Sequence, residues 1–161
     1  MLGYEGVYYK CQEILGPKMS LTRSEMQKKN KIELIEDSAQ TLGATWKKKY
    51  TGSFGTGCFS FFPTKNITTF EGGMITCKSK SIANYLQKAR NHGIDKSLRD
   101  RFTKGYPWEF DIETFGYNYR LDEIRSALGN NQLKRLMKMN NERRKAAKYY
   151  DSELRDIHGI I

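Results

Sequence analysis

The sequence has few cysteines and no long apolar run. Cys11, Cys58 and Cys77 are odd in number and widely spaced. They form no Cys-x-x-Cys pair, which argues against a disulfide framework and against a zinc ribbon. No stretch approaches the roughly 18 apolar residues that cross a bilayer. The first ten residues also lack the basic and apolar regions of a secretory signal. These absences predict a cytoplasmic protein with reduced thiols and no membrane partner.

Acidic residues and prolines are also scarce. The chain of 161 residues has 28 Lys and Arg against 18 Asp and Glu, a net charge of +10. A basic surplus suits nucleic acid, an anionic surface or anionic small molecules. The clusters KKNK, WKKK and ERRKAAK are candidates for nucleic-acid binding, but charge runs of this kind are usually solvated faces. With 12% aromatics and 3 prolines, the chain has enough apolar surface to fold as one domain with a core.

The order of apolar runs and helical patterns predicts an α/β fold. Three short runs, Ile32–Ile35, Cys58–Phe62 and Gly72–Cys77, predict buried strands. Ser79 is a candidate N-cap for a helix that reaches about Asn91 and is ended by a glycine. A long helix is predicted from about Asp122.

The remaining segments carry weaker signals. Leu21–Asn30 is helix-compatible, Trp46–Gly57 predicts an exposed loop or hairpin, and Ile94–Asn118 has no clear period. We expect the long helix to bury an apolar stripe, formed by Ile124, Ala127, Leu128, Leu133, Leu136, Ala146, Ala147, Tyr150 and Leu154.

Two residues near strand ends are candidates for chemistry. Lys65 follows an apolar strand and Pro63, a setting in which an amine can attack carbonyl groups. The alternative is an ordinary solvated loop lysine. Asp37 ends the first apolar run, where with Gln40 it could cap a following helix. The alternative is a carboxylate that faces a cationic heterocycle. Both residues could reach one crevice at neighbouring strand ends.

Four blocks of the sequence make a longer pattern in a fixed order. They are IEDSAQTLGA, GSFGTGCFSFFPTKNITTFEGG, RNHG and GYNYRLDEIRSALGNNQLKRL. In this order they resemble the motifs of the DegT/DnrJ/EryC1/StrS family, the pyridoxal-phosphate-dependent sugar aminotransferases. The resemblance covers about Lys31 to Leu154. It implies part of the type I (aspartate-aminotransferase-like) large domain, a three-layer α/β/α structure, followed by a long interdomain helix.

The resemblance also implies residue roles. Lys65 would be the catalytic lysine that forms the internal aldimine with pyridoxal 5′-phosphate. Asp37 would pair with the pyridine nitrogen, Gln40 would lie beside the ring, and Ser60 would bind the phosphate. Asn118 resembles the asparagine that reaches the phosphate bound by the neighbouring subunit of a homodimer. Arg120 and His92 lie in family motifs and receive no assigned role, and no metal site is expected.

The function implied is transfer of an amino group, from glutamate, to a keto-sugar nucleotide in sugar or polysaccharide biosynthesis. A related branch of the family has histidine in place of the lysine and performs dehydration, so Lys65 favours transamination. Phe70 departs from the family, which generally has glycine there. A bulky residue would crowd the loop or change its backbone if φ were positive.

Family members are considerably longer, so this chain resembles a middle fragment that lacks the N-terminal part and most of the small domain. We expect residues 1–118 to form a partial coenzyme-binding large domain and residues 119–161 to lead into a truncated small domain. The alternative function is a catalytically inactive fragment or subunit that binds a complementary chain.

Overall fold

The computed structural model describes residues 33–95, 98–103, 106 and 108–159. Its strands are β1 (Ile35–Asp37), β2 (Thr45–Trp46), β3 (Lys49–Tyr50), β4 (Thr56–Ser60) and β5 (Gly73–Thr76). Its helices are α1 (Lys80–Ala89), α2 (Leu98–Thr103) and α3 (Glu123–Leu154). The predicted α/β pattern is therefore confirmed. The helix predicted over Leu21–Asn30 lies outside the described residues.

The chain forms two compact units. One contains the described residues up to Thr76 together with those from Glu123 onward, and the other is Cys77–Asp122. The first unit holds all five strands and α3, and the second holds α1 and α2. The predicted boundary between residues 118 and 119, which concerns domains of a longer protein, stays a prediction.

The main sheet has the order β1-β4-β5, with β1 parallel to β4 and β5 antiparallel to it. The first strand begins later than predicted: it spans Ile35–Asp37 and includes both carboxylates. The reason is the ladder, in which Glu36 pairs with Gly57 and Asp37 with Cys58. Backbone pairing with β4 therefore carries the strand beyond its apolar run.

The two faces of this sheet differ. Paired residues of neighbouring strands share a face, and side chains alternate along each strand. Ile35, Asp37, Cys58, Ser60 and Ile75 therefore lie on one face, here named the open face. Ile35 is 66% exposed and Ile75 is 46% exposed. The opposite face carries Phe59, whose half-buried ring packs against the core.

The core lies between the end of β4 and α3. It consists of Phe61, Ile67 and Leu136, with Leu42 and Phe59 packed against it. The predicted apolar stripe of α3 is wrong for most of its length. Ile124 is 84% exposed, and every helix residue from 141 to 154 is exposed. The described residues provide no surface against which that part of the helix packs.

A hairpin and a capped helix confirm two local predictions. β2 and β3 pair through Lys47 and Lys48, which both have positive φ, as the tight turns of twisted hairpins require. The side chain of Ser79 caps α1 by accepting a hydrogen bond from the backbone N–H of Ile82 (3.3 Å). That helix ends at Ala89, slightly before the predicted position.

The segment without a sequence period is held by isolated pairs rather than by a sheet. It contains α2 and the antiparallel bridges Asn91 to Asn118 and Ile94 to Ile112. Among the described residues, no helix combines the length and the apolar character needed to span a bilayer.

Candidate functional site

The carboxylate of Asp37 lies at the end of β1 on the open face. Asp37 is exposed, and its Oδ1 accepts a hydrogen bond from the backbone N–H of Ala39 (3.1 Å). Turns rather than a helix follow, so the helix-cap interpretation is wrong. Burial, and secondarily the negative charge of Asp37, raise the pKa of the neighbouring Cys58 thiol. The negative charge of Asp37 therefore acts on a side chain of the neighbouring strand β4.

Ser60 ends β4 as Asp37 ends β1. Because these strands are parallel, both side chains lie at the carboxyl edge of the sheet, where α/β proteins bind ligands. Ser60 is half-buried, and its Oγ accepts a hydrogen bond from the backbone N–H of Phe62 (3.3 Å). A hydroxyl that accepts can also donate its O–H to an anion. Gln40 is exposed in the turn that follows β1.

Lys65 lies in a closed loop between β4 and β5, here named the lysine loop (Phe61–Gly72). The backbone N–H of Phe61 donates to the carbonyl of Gly72 (2.9 Å), and that of Thr69 donates to the carbonyl of Phe61 (2.9 Å). The N–H of Lys65 donates to the carbonyl of Phe62 (2.9 Å), and its side chain is half-buried. The structure thus brings Asp37, Ser60 and Lys65 to neighbouring segments of one unit.

Two amides of α3 bind the lysine loop, and sequence reasoning missed both. Gln132 exchanges two hydrogen bonds with the backbone of Thr68. Asn140 accepts from Asn66 Nδ2 (3.0 Å), the residue after the lysine. Gln132 and Asn140 lie four residues before and after the buried Leu136, on one helix face. The sequence does contain a signal for these contacts, because two amides interrupt the apolar stripe at positions that share a helix face with Leu136.

Glu36 is a third residue that sequence reasoning missed. It is 7% exposed, on the face opposite Asp37. Its carboxylate accepts hydrogen bonds from the backbone N–H groups of Gly52 (2.9 Å), Phe54 (2.8 Å) and Gly55 (2.8 Å). An acid inside a strand, followed by the glycine-rich segment GSFGTG, is the sequence signal for this arrangement.

Asn118 belongs to the other unit, where the motifs RNHG and GYNYR meet. Its Oδ1 accepts from Arg120 Nε (3.1 Å), and Arg120 Nη1 donates to Asn91 Oδ1 (3.3 Å). The backbone N–H of His92 donates to the carbonyl of Tyr117 (3.0 Å). Arg120 and His92 therefore help to hold the segment that carries Asn118. The described part of the chain contains no cluster of metal-ligating side chains.

Phe70 adopts the backbone conformation for which glycine is suited. Its φ is 65°, and its side chain is 65% exposed. Of the two expected effects of a bulky residue, crowding is avoided because the ring points into solvent, and the loop keeps a positive φ at this position.

A family model for the DegT/DnrJ/EryC1/StrS aminotransferase family matches residues 19–161. The chain belongs to this family. The UDP-4-amino-4,6-dideoxy-N-acetyl-beta-L-altrosamine transaminase of Campylobacter jejuni (strain 81-176) is 38% identical over 136 residues, 84% of this chain and 34% of that protein. The present chain therefore spans about a third of the length of the curated relatives it matches.

Several solved structures share its fold. Helicobacter pylori PseC, an aminotransferase of pseudoaminic acid biosynthesis, matches with a TM-score of 0.75 and 32% identity, over 84% of this chain and 34% of that one. The PLP form of the putative sugar aminotransferase Spr1654 from Streptococcus pneumoniae matches with a TM-score of 0.67 and 28% identity, over 97% and 39%. The predictions of the family and of a partial type I fold are confirmed. The predicted cofactor is confirmed as the coenzyme of this family.

Proposed function

We propose that this chain carries the lysine-bearing part of a pyridoxal-phosphate-dependent aminotransferase, which transfers an amino group from glutamate to a keto-sugar nucleotide. The observation that supports it best is the placement of Asp37, Ser60 and Lys65. The first two end adjacent parallel strands, and the lysine follows in a loop closed by backbone hydrogen bonds.

The donor set fits this coenzyme. Within the described residues, the carboxylate of Asp37 accepts one hydrogen bond, at Oδ1. Its remaining lone pairs can accept a hydrogen bond from a protonated pyridine nitrogen. Ser60 offers an O–H to a phosphate oxygen. We propose that Gln40 lies beside the ring, and that Asn118 reaches the phosphate bound by a second copy in a homodimer.

Each residue then has a distinct task. Bound pyridoxal phosphate supplies an electron-accepting ring that stabilises the negative charge left when the amino-acid Cα loses a proton. The Nζ of Lys65 would be the base of the 1,3-proton shift: it takes this proton from Cα and delivers it to a different carbon instead of returning it to Cα. The negative charge of Asp37 keeps the pyridine nitrogen protonated. Ser60 anchors the phosphate and takes no part in proton transfer. A lysine at position 65 supports transamination rather than dehydration.

The test is covalent trapping. The purified chain is incubated with pyridoxal phosphate, reduced with borohydride, and digested for mass spectrometry. We expect a pyridoxyl group on Lys65 that is absent from Lys65→Ala, and Lys134→Ala, an exposed lysine of α3, serves as the matched control. Labelling spread evenly over exposed lysines, with none preferred at Lys65, would contradict the proposal.

One observation favours the alternative, a catalytically inactive fragment or subunit that binds a complementary chain. The open face leaves Ile35 and Ile75 exposed beside Asp37. A chain that folds but does not form the Lys65 adduct would support this second function.

A further inference from the structure

We propose that Gln132 and Asn140 of α3 are positioning residues for Lys65, an inference that rests on the proposed function. Gln132 acts through the backbone of the lysine loop. Asn140 acts through the side chain of Asn66 in that loop and through the carbonyl of Leu42. They hold that loop at points on the C-terminal side of the lysine, while the core holds it on both sides, through Phe61 and Ile67.

Gln132 bonds the backbone of the lysine loop through both its side-chain oxygen and its side-chain nitrogen, as a neighbouring strand would bond it through backbone groups. Its Oε1 accepts from the N–H of Thr68 (2.9 Å), and its Nε2 donates to the carbonyl of Thr68 (3.0 Å). Both polar groups of one residue are thus satisfied by a single side chain. Paired bonds of this kind fix orientation as well as distance, because the amide is planar.

Asn140 holds the residue next to the lysine. Its side chain is 6% exposed, and its Oδ1 accepts from Asn66 Nδ2 (3.0 Å). Its Nδ2 donates to the carbonyl of Leu42 (3.1 Å), which also accepts from Asn66 Nδ2 (3.2 Å). The two amides therefore close a partly buried network on the carbonyl of Leu42. Such networks are rigid when every member is satisfied.

Close approach of the helix backbone completes the support. At Gly129, a Cβ atom would lie 2.9 Å from Cγ2 of Thr69, a side chain with no exposed surface. A glycine at this position therefore lets α3 approach the loop closely enough for Gln132 to reach Thr68. Three positions of one helix, Gly129, Gln132 and Asn140, thus fix the segment that immediately follows Lys65.

The test measures how fast the Lys65 adduct forms as a function of coenzyme concentration. Its half-saturation concentration reports binding of the coenzyme, and its limiting rate reports delivery of the amine. In Gln132→Glu, a carboxylate oxygen opposes the carbonyl of Thr68. We expect the limiting rate to fall about tenfold at pH 8, with half-saturation unchanged within about twofold. Asn131→Asp, the exposed neighbour, should match wild type.

Two further measurements sharpen this result. Relative to wild type at each pH, the deficit of Gln132→Glu should shrink as pH falls, because a protonated carboxyl group restores the donor. Asn140→Asp loses the donor to Leu42 and should also lower the limiting rate about tenfold, while Asn141→Asp should not.

The outcomes separate the two proposals. Absence of the Lys65 adduct from wild type overturns the proposed function and this inference with it. An adduct in wild type whose kinetics are the same in Gln132→Glu and Asn131→Asp overturns the positioning role alone. A rise in the half-saturation concentration together with a comparable fall in the limiting rate would indicate general loosening of the fold. That result would also overturn the positioning role.

Discussion

Phe70 is the bulky residue of the lysine loop that adopts a left-handed backbone conformation. Its φ is 65°, and its ring is largely exposed, so little apolar burial offsets the steric cost. That cost is roughly 1–2 kcal/mol for an L-residue. The loop nevertheless keeps this conformation, because Thr69 and Glu71 on either side bond to each other's backbone.

Replacing Phe70 with glycine should therefore stabilise the fold. After the entropic cost of glycine is subtracted, we expect Phe70→Gly to raise the free energy of unfolding by roughly 0.5–1 kcal/mol. Urea denaturation measures this as a higher midpoint. Phe62→Gly is the matched control, since Phe62 lies in the same loop without a positive φ and should lose stability. A lower midpoint for Phe70→Gly would show that its ring makes a stabilising contact.

The Cys58 thiol reports the position of Asp37. Burial and the neighbouring carboxylate raise the pKa of this thiol, so a smaller fraction is thiolate at a given pH and alkylation is slower. Asp37→Asn removes the electrostatic part. We expect the pH profile for iodoacetamide modification of Cys58 to move to lower pH, while remaining above the ordinary range because burial persists. Asp151→Asn, an exposed change on α3, should leave the profile where it is, and an unmoved profile in Asp37→Asn would contradict the assigned placement.

At the scale of elements, Glu36 joins β1 to the turn before β4. Its carboxylate accepts from three backbone N–H groups of that turn. Asp37, the next residue, lies on the other face of the same strand. Glu36 therefore holds the end of β1 from the face opposite Asp37, and Asp37 stays exposed.

Glu36→Gln should destabilise the fold, because an amide N–H₂ would oppose a buried N–H donor. We expect the free energy of unfolding to fall by about 2–3 kcal/mol. The exposed Glu33→Gln is the matched control and should change it little. Equal midpoints for the two variants in urea would show that the turn does not depend on this carboxylate.

At the scale of the whole molecule, the sequence predicted elements better than their contacts. β4, β5, α1 and α3 appear close to the predicted places, because apolar runs and an N-cap are local signals. The extension of β1 into its carboxylates depends on pairing with a distant strand. The hairpin at Lys47 and Lys48 pairs neighbouring residues, but the sequence predicted only a loop or hairpin over Trp46–Gly57, because no glycine marks its turn. Lys65 and Asp37 were candidates from their places near strand ends, whereas binding roles for Gln40, Ser60 and Asn118 came only from the family motifs, and all these roles stay predictions.

The contacts of α3 were the hardest to predict. Periodicity indicated an apolar stripe, but burial is confined to Leu136 and Asn140. Gln132 and Asn140 are amides, which hydrophobic periodicity does not register, and their partners are backbone groups far away in the chain. Which carbonyl an amide side chain will find is a property of the folded arrangement rather than of local composition.

The attachment between α3 and the lysine loop is built from the neutral amides of Asn66, Gln132 and Asn140. Ion pairs are screened by dissolved electrolyte, whereas hydrogen bonds between uncharged groups are almost indifferent to it. In a chain this basic, ionic strength will alter attraction for anionic molecules at the surface. Ionic strength should have little effect on the amide hydrogen bonds that attach the lysine loop to α3.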